Sequence, residues 1–194
     1  MPRSGSRPQL YYDLGSPYAY LAVERAESVL GIRPDLRPIL IGGIFVLRGE
    51  GSWSQTASRE VNVAEIERRA EAYGLPPVVW PKGWPNNTLR AMRAVTWIED
   101  PPVAEAFARN AFRRAFRSGR DLSDPEVLAE VATEVGLDPE AMRRGSEEDR
   151  IKELLRKRTD EAWELGVRGT PVIVTEGELH YGDDRLEAAA AGFR

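Results

Sequence analysis

In this 194-residue chain the signals for β-structure fall at the two ends, and capped helices fill most of what lies between. Residues 10–14 form a short apolar strand, closed by a turn at Gly15. Residues 17–30 follow as a helix with Tyr20, Leu21, Val23 and Leu30 among its apolar positions and Gly31 as C-cap. A second strand is expected over 35–41, ended by Gly42-Gly43 and parallel to the first across the helical crossover. Strand periodicity returns after Thr170-Pro171, with 172–175, a Glu176-Gly177 turn and 178–181 reading as a hairpin. Between these ends, helices are expected over 59–73, over 88–99 with Asn87 as N-cap, and over 102–117 with Phe107, Ala111 and Phe116 inward. Ser123-Asp124-Pro125-Glu126 reads as a capping box for a helix to Val135, and Asp138-Pro139 starts a short one. Ser146 caps a helix over 147–165 stopped by Gly166, and Asp183 or Asp184 caps a last helix to Ala191. Residues 49–58 and 74–84 read as loops. The order implies one α/β core, 8–43 with 148–194, interrupted by an all-helical insertion over 44–147.

Composition removes several chemistries. The absence of cysteine excludes disulfides, thiol nucleophiles and cysteine metal sites within this chain. His180 is the single histidine, which excludes a His-rich metal site and most His-based triads, so no metal is expected. Hydroxyls, carboxylates, arginines, backbone amides and a bound cofactor remain. A net charge of −4, with arginine runs interleaved by acids, argues against a nucleic-acid partner. No apolar run reaches the ~20 residues of a membrane span. Residues 1–8 are polar and lack the apolar core of a signal peptide, so a flexible start and a cytoplasmic location are the default expectation.

Ser16-Pro17 has the form of a helix start, Ser at N-cap and Pro at N1. A hydroxyl there also stands beside orphan N–H groups and the positive end of the helix dipole, where a thiolate can be held. Trp80, Trp84 and Trp97 read either as the walls of a flat aromatic pocket or as core of the insertion. Asn87 is an N-cap or a polar contact to substrate, and Arg48 binds a carboxylate or faces solvent. Asp13 is buried near the first helix or tunes acidity near Ser16, and His180 reads as a strand-edge histidine.

Four segments carry a resemblance that spans nearly the whole chain. Asp13-Leu14-Gly15-Ser16-Pro17-Tyr18-Ala19-Tyr20-Leu21-Ala22 is similar to an Asp-Phe-x-Ser-Pro-x-x-Tyr-Leu-Ala motif. Pro38-Ile39-Leu40-Ile41-Gly42-Gly43-Ile44-Phe45 resembles a second strand and the turn after it, and Trp84-Pro85-Asn86-Asn87-Thr88 a Pro-Asn-Ser/Thr loop. Gly169-Thr170-Pro171 and Tyr181-Gly182-Asp183-Asp184-Arg185-Leu186 resemble a cis-proline turn and a closing Gly-x-Asp-Arg-Leu motif. These are marks of the 2-hydroxychromene-2-carboxylate isomerases and kappa-class glutathione transferases, relatives of the DsbA oxidoreductases with a thioredoxin-like core.

The resemblance implies a bound glutathione, or another low-molecular-weight thiol, between two lobes. Ser16 stands where redox members carry a cysteine, and would hold the cofactor sulfur as the catalytic group. Thr170, before a cis-Pro171, would pair its backbone with the cysteinyl part of the tripeptide. Asp184 would accept the glutamyl ammonium, and backbone N–H groups around Asp183 the glutamyl carboxylate. The acidic Asp183 would itself repel a neighbouring carboxylate. Arg48, Trp84 and Asn87 would face a small aromatic substrate. The activity implied is thiol-dependent isomerisation of an aromatic keto-acid, with a kappa-like transferase or a non-enzymatic thiol-binding module as alternatives, and with a homodimer expected. The missing cysteines exclude a disulfide oxidoreductase.

Overall fold

A computed structural model describes residues 7–193, so the polar start expected to be flexible lies, up to residue 6, outside the described residues. Strand β1 (Gln9–Tyr12) leads through a tight turn into helix α1 (Pro17–Leu30), and β2 (Asp35–Pro38) returns parallel to β1 with Gln9 opposite Asp35. The far end of the chain supplies β3 (Val172–Thr175), antiparallel to β1, and β4 (Glu178–Tyr181), giving the sheet order β2-β1-β3-β4. The β3–β4 turn is Glu176-Gly177, both at positive φ, as a two-residue hairpin requires. Among the described residues no strand occurs between Pro38 and Val172.

Helices occupy that interval: α2 (Ile41–Arg48), α3 (Arg59–Ala72), α4 (Leu89–Trp97), α5 (Pro101–Ser118), α6 (Pro125–Glu134), α7 (Pro139–Gly145) and α8 (Asp149–Leu165), with a short 3₁₀ turn at Trp53–Gln55. A second 3₁₀ turn, Asp183–Arg185, leads into α9 (Leu186–Phe193). Proline at the start of α1, α5, α6 and α7 follows a Ser or Asp whose side chain accepts from the first turn, the arrangement that satisfies otherwise orphaned N–H groups.

Local readings change at several boundaries. The second strand stops at Pro38, and Gly42-Gly43 lies inside α2 rather than in a turn, so the boundary expected at 43/44 falls within a helix. Asp124, not Ser123, caps α6. Helix α8 begins after Glu148, while Ser146 donates to the Arg143 carbonyl at the end of α7. Helix α4 starts one residue later than expected, after Thr88. Neither Asp183 nor Asp184 caps the final helical segment: the 3₁₀ turn has no side-chain cap, and the Asp183 carboxylate is committed elsewhere.

One apolar cluster covers a face of the sheet and continues into the insertion, joining Leu10, Tyr12 and Tyr20 to Phe107, Phe112 and Phe116. A smaller cluster on the other side brings Ile39 and Val172 against Ile44 of α2 and Ala162 of α8. Within the insertion α7 packs closely on α4 at Gly145. A Cβ built on Gly145 would stand 1.9 Å from Trp97 Nε1 and 2.6 Å from its Cδ1. Gly145→Ala therefore forces the indole or the helix to move and should cost about 1–3 kcal/mol. Urea unfolding should show a lowered midpoint with an unchanged slope.

Candidate active site

A cleft of about 950 Å³ opens where the start of α1, helix α2, residues 51–56 and the Trp84–Leu89 segment converge, with Gly169 and Thr170 on its floor. Ser16 is the N-cap of α1: its Oγ accepts from Ala19 N–H at 3.2 Å and donates to the Thr170 carbonyl at 3.2 Å. The cap and the cleft-facing group are thus one hydroxyl. The Thr170-Pro171 peptide is cis, and so is Trp84-Pro85, which the sequence reading did not anticipate. Thr170 Oγ1 is buried with no hydrogen-bond partner among the described residues.

Directly behind Ser16, Asp13 is fully buried. Its Oδ1 accepts from Gly15 N–H at 2.7 Å and from the Thr88 hydroxyl at 2.9 Å, and its Oδ2 accepts from Ile41 N–H at 2.8 Å. Leu40, the N-cap of α2, has no capping side chain, so the Asp13 carboxylate serves that helix from another part of the chain. Burial pushes the Asp13 carboxyl above its ordinary range, opposed by the donors from Gly15, Ile41 and Thr88.

The aromatic wall of the cleft is built from Trp53 and Trp84, 5.5 Å apart between ring centroids. Trp84 is nearly buried, and its indole N–H has no partner among the described residues. Trp80 stands behind it at 4.7 Å and donates to Glu67, and Trp97 packs on Gly145 away from the cleft. The three candidate tryptophans therefore divide: Trp84 lines the cleft, Trp80 backs it, and Trp97 is core. Trp53 and Phe45 line it too and were missed. A tryptophan isolated in a Gly/Ser-rich segment is a signal that could have found Trp53.

Arg48 lines the rim, in the last turn of α2 rather than in a loop, and is already engaged with Glu50 at 2.9 Å and the Arg168 carbonyl at 3.1 Å. Asn87 also lines the cleft; the N-cap of α4 is Thr88 rather than Asn87, which sits one residue before it and accepts from Leu89 N–H at 2.9 Å. His180 bonds the Thr175 hydroxyl within the hairpin and does not border the cleft. Pro171, Asp183 and Asp184 lie outside the cleft lining.

Asp183 is turned inward. It accepts from Arg69 at 2.8 Å and from the Tyr73 hydroxyl at 2.9 Å, and Arg25 reaches its carbonyl. Burial pushes its carboxyl up, against Arg69 and Tyr73, while burial and Asp183 push the Tyr73 hydroxyl to about 12. The repulsive surface carboxylate expected at Asp183 is therefore a buried, paired one. Asp184 remains half exposed, 3.6 Å from Arg69 Nη2. The Arg69 guanidinium also stands over the Tyr18 ring, and Tyr18 packs edge-on against Trp53, which connects this corner to the cleft. Among the described residues no cluster of His, Cys, Asp or Glu could hold a metal.

A short sheet with a helix N-terminus facing a Thr-cis-Pro turn, and helices inserted between the halves, defines a thioredoxin-like protein of the DsbA type. The chain belongs to the DSBA-like thioredoxin domain family, whose model matches residues 9–193. It is 27% identical over 183 residues to the 2-hydroxychromene-2-carboxylate isomerase of Sphingobium xenophagum, covering 91% of this chain and 92% of that protein. It is 22% identical over 201 residues to glutathione S-transferase kappa 1 of Caenorhabditis elegans, covering 95% and 89%. A solved 2-hydroxychromene-2-carboxylate isomerase shares the fold at a TM-score of 0.84 and 22% identity, over 95% of this chain and 93% of that one.

Asp13 offers a test of the site's frame. In Asp13→Asn the amide NH₂ meets an N–H or O–H donor where an oxygen was, and the loss should be about 1–3 kcal/mol. The pH dependence has a definite sign. A carboxyl whose folded pKa is raised binds its proton more tightly in the native state. Its contribution is therefore greatest below the unfolded value of about 3.9 and declines as pH rises through the raised value. Denaturant unfolding from pH 3 upward should show the gap between wild type and Asp13→Asn narrowing with rising pH; a gap that widens would contradict it.

Proposed function

We propose that the protein is a thiol-dependent isomerase of a small aromatic keto-acid, with Ser16 as its catalytic group and glutathione or a related thiol as cofactor. The observation that carries this reading is the Ser16 hydroxyl at the N-terminus of α1, 3.2 Å from the Thr170 carbonyl and beside a tryptophan-walled cleft, in a chain without cysteine. The names of the aligned relatives, an isomerase and a kappa-class glutathione transferase, support it.

The residues present fit such a cofactor. Among the described residues Thr170 holds a buried, unpartnered hydroxyl and a carbonyl engaged only by Ser16, both at the floor of the cleft. When bound, the thiol would supply a thiolate able to add reversibly to a conjugated carbon. Ser16 has one proton, and it rests on the Thr170 carbonyl. The Thr170 carbonyl can accept a second hydrogen bond from a cofactor amide, and the Ser16 hydroxyl, held there at 3.2 Å, could turn its proton toward a bound sulfur. The N-terminus of α1 then favours the anion. Asp184, half exposed and steadied by Arg69, accepts an ammonium group, and the inward Asp183 leaves its backbone N–H free of side-chain repulsion. Trp53 and Trp84 flank a flat ring, Asn87 offers a polar edge, and Arg48 meets a substrate carboxylate by exchanging it for Glu50.

A kappa-like transferase uses the same groups but consumes the thiol, and the glutathione S-transferase relative favours that second reading. Monitoring free thiol during turnover separates them. With a hydroxychromene carboxylate the thiol should stay constant while product accumulates; loss of thiol in step with product would mean transfer, and no thiol binding with no turnover would leave a non-enzymatic module.

Two variants test the assignments. Ser16→Ala should lose about tenfold to a hundredfold in rate through a missing charge-assisted bond to the thiolate, with only about 1 kcal/mol lost in stability from the cap. A variant that melts lower yet turns over normally would reduce Ser16 to a cap. Asp184→Asn should weaken thiol binding in calorimetry while leaving the melting temperature unchanged.

A further inference from the structure

A second cavity, of about 720 Å³, lies between the β1–β2 side of the sheet and helices α4, α5 and α8, and shares no lining residue with the cleft. Its walls are apolar where Ile39, Val95, Ile98 and Ala162 face it. Two polar groups stand out. Tyr12 is 1% exposed, lines this cavity, and its hydroxyl donates to no group among the described residues. Burial raises that phenol, so it stays a neutral donor. Arg158, partly buried on α8, has no acid within ion-pair distance among the described residues, and burial lowers its pKa.

The acids around the cavity are otherwise engaged: Asp35 with Arg7 at 3.4 Å, Glu99 with Arg150 at 3.5 Å, Glu105 with Arg109 at 2.9 Å and Glu161 with Lys157 at 3.7 Å. A guanidinium and a phenol O–H, both donors without acceptors, next to apolar walls, match a carboxylate on an apolar body. The other arginines of the lining, Arg7, Arg33 and Arg37, stand within ion-pair distance of Asp35 or Glu105, which leaves Arg158 as the cation for a single carboxylate.

We infer that this cavity is a second binding site, for a small apolar monocarboxylate, in which Arg158 and the Tyr12 hydroxyl hold the carboxylate. It is independent of the cleft and of the activity proposed for it. The probes are 2-naphthoate, its uncharged analogue 2-naphthamide, and inorganic phosphate, each titrated into the full chain by calorimetry, with amide chemical shifts followed by NMR. Naphthoate should bind saturably and shift the amides of Tyr12, Ile39 and Arg158, leaving those of Ser16 and Thr170 in place. Arg158→Gln should weaken it about tenfold or more and Tyr12→Phe about threefold, while Arg48→Gln at the cleft leaves it unchanged. Neither group has a hydrogen-bond or ion-pair partner among the described residues, so both variants should keep the wild-type melting temperature; if one does not, the shift map on wild type decides. Absence of naphthoate binding, equal binding of naphthamide, tighter binding of phosphate, or shifts centred on Ser16 and Thr170 would each overturn the assignment.

Discussion

The Asp13 carboxylate holds together three segments that are distant in the chain. It takes the N–H of Gly15 in the β1–α1 turn, the N–H of Ile41 at the start of α2, and the hydroxyl of Thr88 before α4. Each of these segments borders the cleft. Without the carboxylate, α2 would begin at an uncapped leucine, with the half-buried Ile41 N–H left over. Burying a charge is costly, and three donors at 2.7–2.9 Å are what offset it. Thr159 adds a second support to the same corner by accepting from Leu40 N–H. Ser16 is thus held by a frame it does not itself complete.

The wall opposite Ser16 is fixed by a different means. Aromatic rings run in contact from the sheet to the cleft: Tyr12 to Phe112 at 5.7 Å, Phe112 to Phe116 at 6.4 Å, Phe116 to Trp80 at 6.0 Å, Trp80 to Trp84 at 4.7 Å and Trp84 to Trp53 at 5.5 Å. Rings packed at these separations interlock and have few alternative placements. The sheet and the insertion therefore share one packed body, and the position of the tryptophan wall relative to Ser16 is set by the core.

Elements whose signals are local could be read from the chain. The β1–α1 turn, the parallel β2, the terminal hairpin, and the prolines opening α5, α6 and α7 depend on neighbours in sequence. Helix α2 could not be read in this way. Ile-Gly-Gly-Ile-Phe-Val is a weak helix sequence, and its cap comes from Asp13, 28 residues earlier. Asp183 misled for the same reason: its partners Arg69 and Tyr73 lie more than a hundred residues upstream. At the site, Ser16 and Thr170 were legible because their turns carry fixed residue types. Trp53 was missed: its isolation in a polar loop marked it, but its place in the site depends on Trp84, which only the fold brings against it.

The central strand has its two neighbours at opposite ends of the chain's history. β2 follows β1 by a single helix, but Gln9 and Leu10 also pair with Val174 and Ile173. As the chain leaves the ribosome, β1 waits with one edge bare through the whole of the insertion. Within the insertion α6 packs on α5 and α7, contacts local in sequence that can form early. The sheet then closes only when β3 arrives, so a segment made after the insertion completes the layer that β1 begins. The Thr170 carbonyl that meets Ser16 lies just before β3, so the cleft is completed only as the sheet closes.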